Sequence, residues 1–126
     1  MMFTAAQIAI GGAAGAVLRY LAGVGVMRLF GPQPLPLGVL FVNIAGSLAM
    51  GMLVTFLGQR GLTQWNAFLA TGVLGGFTTF SSFSLEAWRL FERGDIGLAG
   101  LYVGLSVAVS LMALVAGVYG MRWVLA

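Results

Sequence analysis

The residues best suited to chemistry lie together in Gly72-Val73-Leu74-Gly75-Gly76-Phe77-Thr78-Thr79-Phe80-Ser81-Ser82-Phe83-Ser84. Two adjacent glycines followed by five hydroxyl side chains make poor continuous helix. If this stretch lies at bilayer depth, a break in it frees backbone carbonyls that protein, water or a bound ion must satisfy. Membrane transport proteins place ion sites at such broken helices near the midplane. The alternative, a glycine-kinked helix whose Ser and Thr bond back to the preceding turn, remains open at this point. Phe77, Phe80 and Phe83 recur every third residue, so Phe80 and Phe83 share a helix face beside the hydroxyls of Ser81, Ser82 and Ser84. Aromatic rings are electropositive at their edges and hold an anion weakly, which suits an ion that must bind and then leave. A Phe stripe that only packs or faces lipid is the plainer reading.

Other polar residues stand alone in apolar surroundings. Asn43 is the sole amide of the second apolar segment. It serves either as interhelical hydrogen-bond glue or as an ion ligand, with two amide N–H donors to give. Tyr102, Ser106 and Ser110 are successively four apart and share one helix face, either as a polar track or as ordinary helix–helix hydrogen bonding. Arg19 and Glu86 are charges inside spans, so each is a functional suspect by default. They either compensate one another or line an aqueous vestibule. Glu92 and Asp95 read as a solvated turn. With no His and no Cys, the commonest general base, thiol chemistry and Cys-based metal sites are missing. No nucleophile–base pair, metal triad or phosphate loop points to an enzyme.

The elements that must position these residues follow from composition. Of 126 residues, 60% are apolar and 7% charged, and mean hydropathy is +1.04. A soluble domain carries about a quarter charged residues, so this is an integral membrane protein. The net charge of +3 does not point to nucleic acid, because the arginines are scattered singly. Apolar segments at about 3–30, 37–57, 65–91 and 96–124 are each long enough to cross a bilayer. Short polar breaks separate them, all three prolines falling in the first, Gly31–Pro36. The expected fold is an all-α membrane protein, a single four-helix transmembrane domain over 1–126, with the third helix broken near the midplane. Spans joined so tightly form an up-down array with both termini on one side. The first segment lacks a charged start and exceeds a signal-peptide h-region, so it is expected to remain in the mature protein. No segment alternates as a transmembrane β-strand does.

Loop charge should set orientation, yet Arg60 and Arg122 on one side face Arg28, Arg89 and Arg93 on the other. So even a balance leaves two outcomes: a weak bias resolved at insertion, or insertion both ways with antiparallel self-pairing. Gly11/Gly15, Gly72/Gly76 and Gly100/Gly104 have the four-residue spacing that lets helix backbones approach closely.

Three segments resemble the Fluc (CrcB) fluoride channels: Gly11-Gly12-Ala13-Ala14-Gly15-Ala16-Val17-Leu18-Arg19-Tyr20, Gly38-Val39-Leu40-Phe41-Val42-Asn43, and the specific motif Gly75-Gly76-Phe77-Thr78-Thr79-Phe80-Ser81-Ser82-Phe83-Ser84. The resemblance runs over essentially the whole chain. It implies an antiparallel, dual-topology homodimer in the bacterial inner membrane, with two fluoride pores along the subunit interface. By the same resemblance Asn43, Phe80 and Phe83 line each pore, accompanied by Ser81, Ser84 and Ser110, with Tyr102 and Ser106 as weaker candidates. Gly75 and Thr78 are implied to give backbone carbonyls from both subunits to one structural sodium ion. Arg19 and Glu86 match family positions with structural or vestibular roles. Two departures thin the expected path: Val39 stands where the family usually has Thr, and Leu114 where some members carry a hydroxyl.

The implied partners are fluoride, a second copy and the bilayer. The implied activity is passive export of fluoride down its gradient, which protects the cell from trapped anion. Two rival readings are a small dual-topology multidrug exporter and a non-conducting assembly subunit. The exporter needs a buried carboxylate in its first span, and this first span contains no acid.

Overall fold

The computed structural model describes all of residues 1–126. Long, mainly apolar runs with no internal proline form long helices: α1 (Met2–Phe30), α2 (Leu37–Gln59) and, at the C-terminal end, α5 (Ile96–Leu125). Between α2 and α5 the third span is composite. A single 3-10 turn (Thr63–Trp65) leads into a π-helical stretch (Ala67–Leu74), then one α-turn, α3 (Gly75–Phe77), and finally α4 (Phe80–Glu92). Four segments are thus long and apolar enough to span a membrane, the third being Thr63–Glu92. Their bounds match the sequence expectation to within a turn. Glycines with positive φ, Gly31, Gly61 and Gly94, make the reversals between spans.

The third helix is broken, but not at its glycine pair. Gly75 keeps helical angles (φ −63, ψ −36), whereas Thr78 (φ −82, ψ 160) and Thr79 (φ −150, ψ 120) are extended. β-branched Thr tolerates extended backbone well, and the Thr79 hydroxyl then caps the second half by accepting from Ser82 N at 3.1 Å. The glycines serve proximity instead. The π-helical stretch, which periodicity did not anticipate, lies against α1, where a Cβ on Gly15 would meet the Val73 carbonyl and one on Gly76 the Gly12 carbonyl at 2.5 Å.

Gly100 and Gly104 differ from the other pairs: neither has anything within 4 Å, so they open a face rather than close one within the chain. The tight contact on α5 is made elsewhere. Gly51 sits under the Leu114 carbonyl and Gly117 under the Leu48 carbonyl, which brings the α2 and α5 backbones into contact. Replacing Gly117 by Ala forces a methyl into backbone and is expected to cost about 1–3 kcal/mol, whereas Gly100→Ala stays within about 0.5 kcal/mol. Unfolding in mixed micelles with rising dodecyl sulfate measures both, and equal midpoints would refute the packing assignment.

At the other end of the α2–α5 pair, Val39 and Leu40 pack on a small cluster of Leu90, Ala99 and Tyr102. The second and fourth spans therefore run parallel. Gly51 is level with Gly117, and Val39 and Leu40 lie toward the Tyr102 end of the pair. Only 13 residues are buried, while Leu111, Met112 and Trp123 among many others face outward, as suits helices whose solvent is lipid.

Candidate functional site

The break at Thr78–Thr79 lies near the middle of the third span, where free backbone groups are costly. In an unbroken helix Thr79 N–H would donate to the Gly75 carbonyl and Ser82 N–H to that of Thr78. Here Thr79 N–H donates to Asn43 Oδ1 at 2.8 Å, and Asn43 Nδ2 donates to the Thr79 carbonyl at 2.9 Å. The Asn43 amide therefore acts as a substitute peptide that holds the extended backbone from both sides. The carbonyls of Gly75 and Thr78 lose their helical donors through this rearrangement. The neighbouring Gly76 carbonyl is taken by Arg19 Nε at 3.2 Å. Backbonding does occur, from Thr78 Oγ1 to the Leu74 carbonyl and from Ser84 Oγ to the Phe80 carbonyl, each at 3.0 Å, but it accompanies the break rather than replacing it.

Beside the clamp lies a groove of about 460 Å³, lined along α2 by Asn43, Gly46, Ser47 and Met50 and across the break by Thr78, Thr79, Phe80 and Phe83. Its α5 wall carries Ser106, Val107, Ser110, Leu111 and Leu114. Phe80 and Phe83 stand with ring centroids 5.5 Å apart and planes tilted by 54°, and Phe83 continues onto Tyr102 at 5.4 Å. Tyr102 is fully buried, yet its hydroxyl and those of Ser106 and Ser110 have no hydrogen-bond partner. Three unpaired hydroxyls on one helix face exclude the plain reading of helix–helix bonding within the chain. Phe80 is 78% exposed, so one side of the groove is open.

Of the residues singled out from the sequence, Asn43, Phe80, Phe83, Thr78 and Ser110 converge on this groove, and so does Ser106. Ser81 and Ser84 do not: both are exposed, Ser81 Oγ lying 3.5 Å from Thr79 Oγ1. Ser84 lines a separate shallow groove with Trp88, Gly100 and Gly104. Arg19 and Glu86 do not compensate one another. Arg19 bonds backbone, while Glu86 pairs with Arg89 at 3.0 Å. In the last turn Asp95 pairs with Arg93 at 3.5 Å, and Glu92 is exposed.

This constellation can be compared with known proteins. The family model described as CrcB-like protein, Camphor Resistance (CrcB) matches residues 6–118. The chain belongs to the CrcB family. It is 55% identical over 125 residues to the fluoride-specific ion channel FluC of Ruegeria sp. (strain TM1040), covering 99% of each chain. The fluoride-specific ion channel FluC of Cereibacter sphaeroides is 54% identical over 122 residues, covering 97% of each. That of Agrobacterium fabrum is 52% identical over 118 residues, covering 92% of this chain and 94% of the relative. A CrcB protein with four span-length apolar helices is a multi-pass membrane protein.

The departures noted in the sequence have distinct settings in this CrcB chain. Val39 packs on the Tyr102 cluster, away from the groove lining. Leu114 is in the lining and makes one end of it apolar together with Met50 and Leu111. Sequence reasoning missed Thr79, the residue held by Asn43 that also caps α4, and Ser47, one turn beyond Asn43 on the same side of α2. The four-residue spacing of Asn43 and Ser47 was the available signal for the second.

Proposed function

We propose that this protein is a fluoride-selective passive channel of the bacterial inner membrane, a conductor rather than an enzyme, that lets F⁻ leave the cell down its electrochemical gradient. The carrying observation is the convergence of one amide, a pair of tilted phenylalanine rings and unpartnered hydroxyls on a single groove at a helix break. The relatives that bear the name fluoride-specific ion channel share more than half of its residues over nearly its whole length.

Fluoride is small and strongly hydrated, so a narrow path must replace its water with donors. Asn43 uses one Nδ2 hydrogen on Thr79 and keeps the other for the groove. The Ser106 and Ser110 hydroxyls, free of protein partners, donate along the α5 wall. The rings of Phe80 and Phe83 present electropositive edges between these donors, holding the ion weakly enough to release it. Ser81 and Ser84 belong to the approach, outside the groove itself. A larger halide is excluded by width.

The working unit is an antiparallel homodimer. A groove open on one side, with Phe80 exposed and orphaned hydroxyls, is incomplete in a single chain, and a second copy closes it. The near-even arginine distribution between loops permits dual topology. The Gly75 and Thr78 carbonyls fit a small hard cation, since the break has removed their helical donors and such ions bind carbonyl oxygen. A sodium ion shared by these carbonyls from both subunits would satisfy their oxygens at bilayer depth and leave a positive charge that attracts anions. Arg19 holds the break by its bond to Gly76, and Glu86 with Arg89 lies toward the mouth of the path. In acid surroundings HF enters cells and dissociates inside, and this channel drains the trapped anion.

The test is ion release from liposomes carrying the purified protein under a potassium-ionophore clamp. Fluoride is expected to leave rapidly and chloride at least about a hundredfold more slowly, a selectivity worth roughly 3 kcal/mol. Release of both halides alike, or of neither by a well-folded dimer, overturns the reading.

A further inference from the structure

Beyond Ser110 the α5 wall loses its hydroxyls: the groove there is lined by Leu111 and Leu114. An ion that has shed water cannot cross an apolar stretch without another donor. On α2, Ser47 lies one turn beyond Asn43, about 6 Å further along the axis, and lines the same groove. α2 and α5 run parallel with Gly51 level with Gly117, so an equal rise along both helices puts Ser47 level with Ala113, between Ser110 and Leu114. None of the chain's side-chain hydrogen bonds involves Ser47. Thr55, eight residues further along α2, by contrast spends its hydroxyl on the Gly51 carbonyl of its own helix at 2.8 Å.

We infer that Ser47 is a further ion-contacting residue of the path, taking over from Ser110 as hydrogen-bond donor where α5 presents leucine. The polar lining thus crosses from α5 to α2 at this level. Ser47 donates its hydroxyl proton toward the anion and keeps its oxygen toward water, so no proton is transferred. The inference rests on the fluoride reading and deepens it.

Three variants in the liposome assay test it. Ser47→Ala is expected to slow fluoride release by about tenfold, the effect of withdrawing one hydrogen bond from a charged species. Ser47→Thr, which retains the hydroxyl, is expected to conduct within about twofold of the unmodified protein. Adding Leu114→Ser to Ser47→Ala returns a hydroxyl at the same height and is expected to recover most of the lost rate. A packing role for Ser47 predicts no such recovery. Ser47→Ala conducting as the unmodified protein does would overturn the inference alone. Absence of fluoride release from the unmodified protein would overturn the parent reading, and this one with it.

Discussion

On the proposed channel reading, replacing Phe80 by Ile is expected to cut fluoride release by at least about thirtyfold while leaving the fold of the chain intact. The two halves of that expectation come from different observations. Phe80 is 78% exposed in the single chain, so little of its area supports the chain's own packing. An aliphatic side chain at such a site changes stability by no more than about 0.5 kcal/mol. The ring matters for its charge distribution. Phe80 stands 5.5 Å from Phe83 at a 54° tilt, and on the proposed reading its electropositive edge is the part that meets the anion. Isoleucine fills similar volume with no electropositive edge. A desolvated charge left without its compensating contact loses about 2–5 kcal/mol, which corresponds to roughly thirtyfold to several thousandfold in rate. Circular dichroism and gel filtration in detergent report the fold and the dimer, and the liposome assay reports the rate. Undiminished fluoride release from Phe80→Ile would remove the ring pair from the mechanism.

The sequence made the spans legible because bilayer thickness imposes length and polarity on them without reference to neighbours. It also located the break to within a few residues, since Gly75-Gly76 followed by Thr and Ser disfavours helix on local grounds alone. It could not choose between glycine and threonine as the breaking residues, because that choice is made across space. Gly76 must stay helical to let the Gly12 carbonyl approach, and Thr79 becomes extended where Asn43, 36 positions earlier, can hold it. The same limit explains Asn43. Of its two sequence readings, glue or ion ligand, the contacts show the first, with the amide bonded to the Thr79 backbone from both sides. The π-helical stretch Ala67–Leu74 was invisible for a related reason. Its apolar pattern is compatible with any helix, and only contacts across space set it against the α1 glycines. Likewise the Gly100/Gly104 spacing mimics the packing motif of Gly11/Gly15, and only the contacts separate a closed face from an open one.

Asn43 carries the second large effect, because on the proposed channel reading one amide serves both the helix break and the ion path. Asn43→Ala leaves the Thr79 N–H and carbonyl both unpaired at mid-span, at about 1–3 kcal/mol for each group. The dodecyl sulfate midpoint is therefore expected to fall sharply and fluoride release to vanish. The alanine variant alone does not separate lost conduction from lost structure, and Asn43→Asp does. An aspartate keeps an oxygen where Thr79 N–H donates, so it retains one of the two clamp bonds and is expected to unfold between the native protein and the alanine variant. As a carboxylate it has no N–H for the groove and sets a negative charge on an anion's route, a repulsion of several kcal/mol in a low-dielectric site. Conduction by Asn43→Asp is thus expected to be lost as completely as by Asn43→Ala, despite the better fold. An aspartate variant whose fluoride release recovered in step with its stability would mean that Asn43 only props the helix break, and that the ion finds its donors among the serines alone.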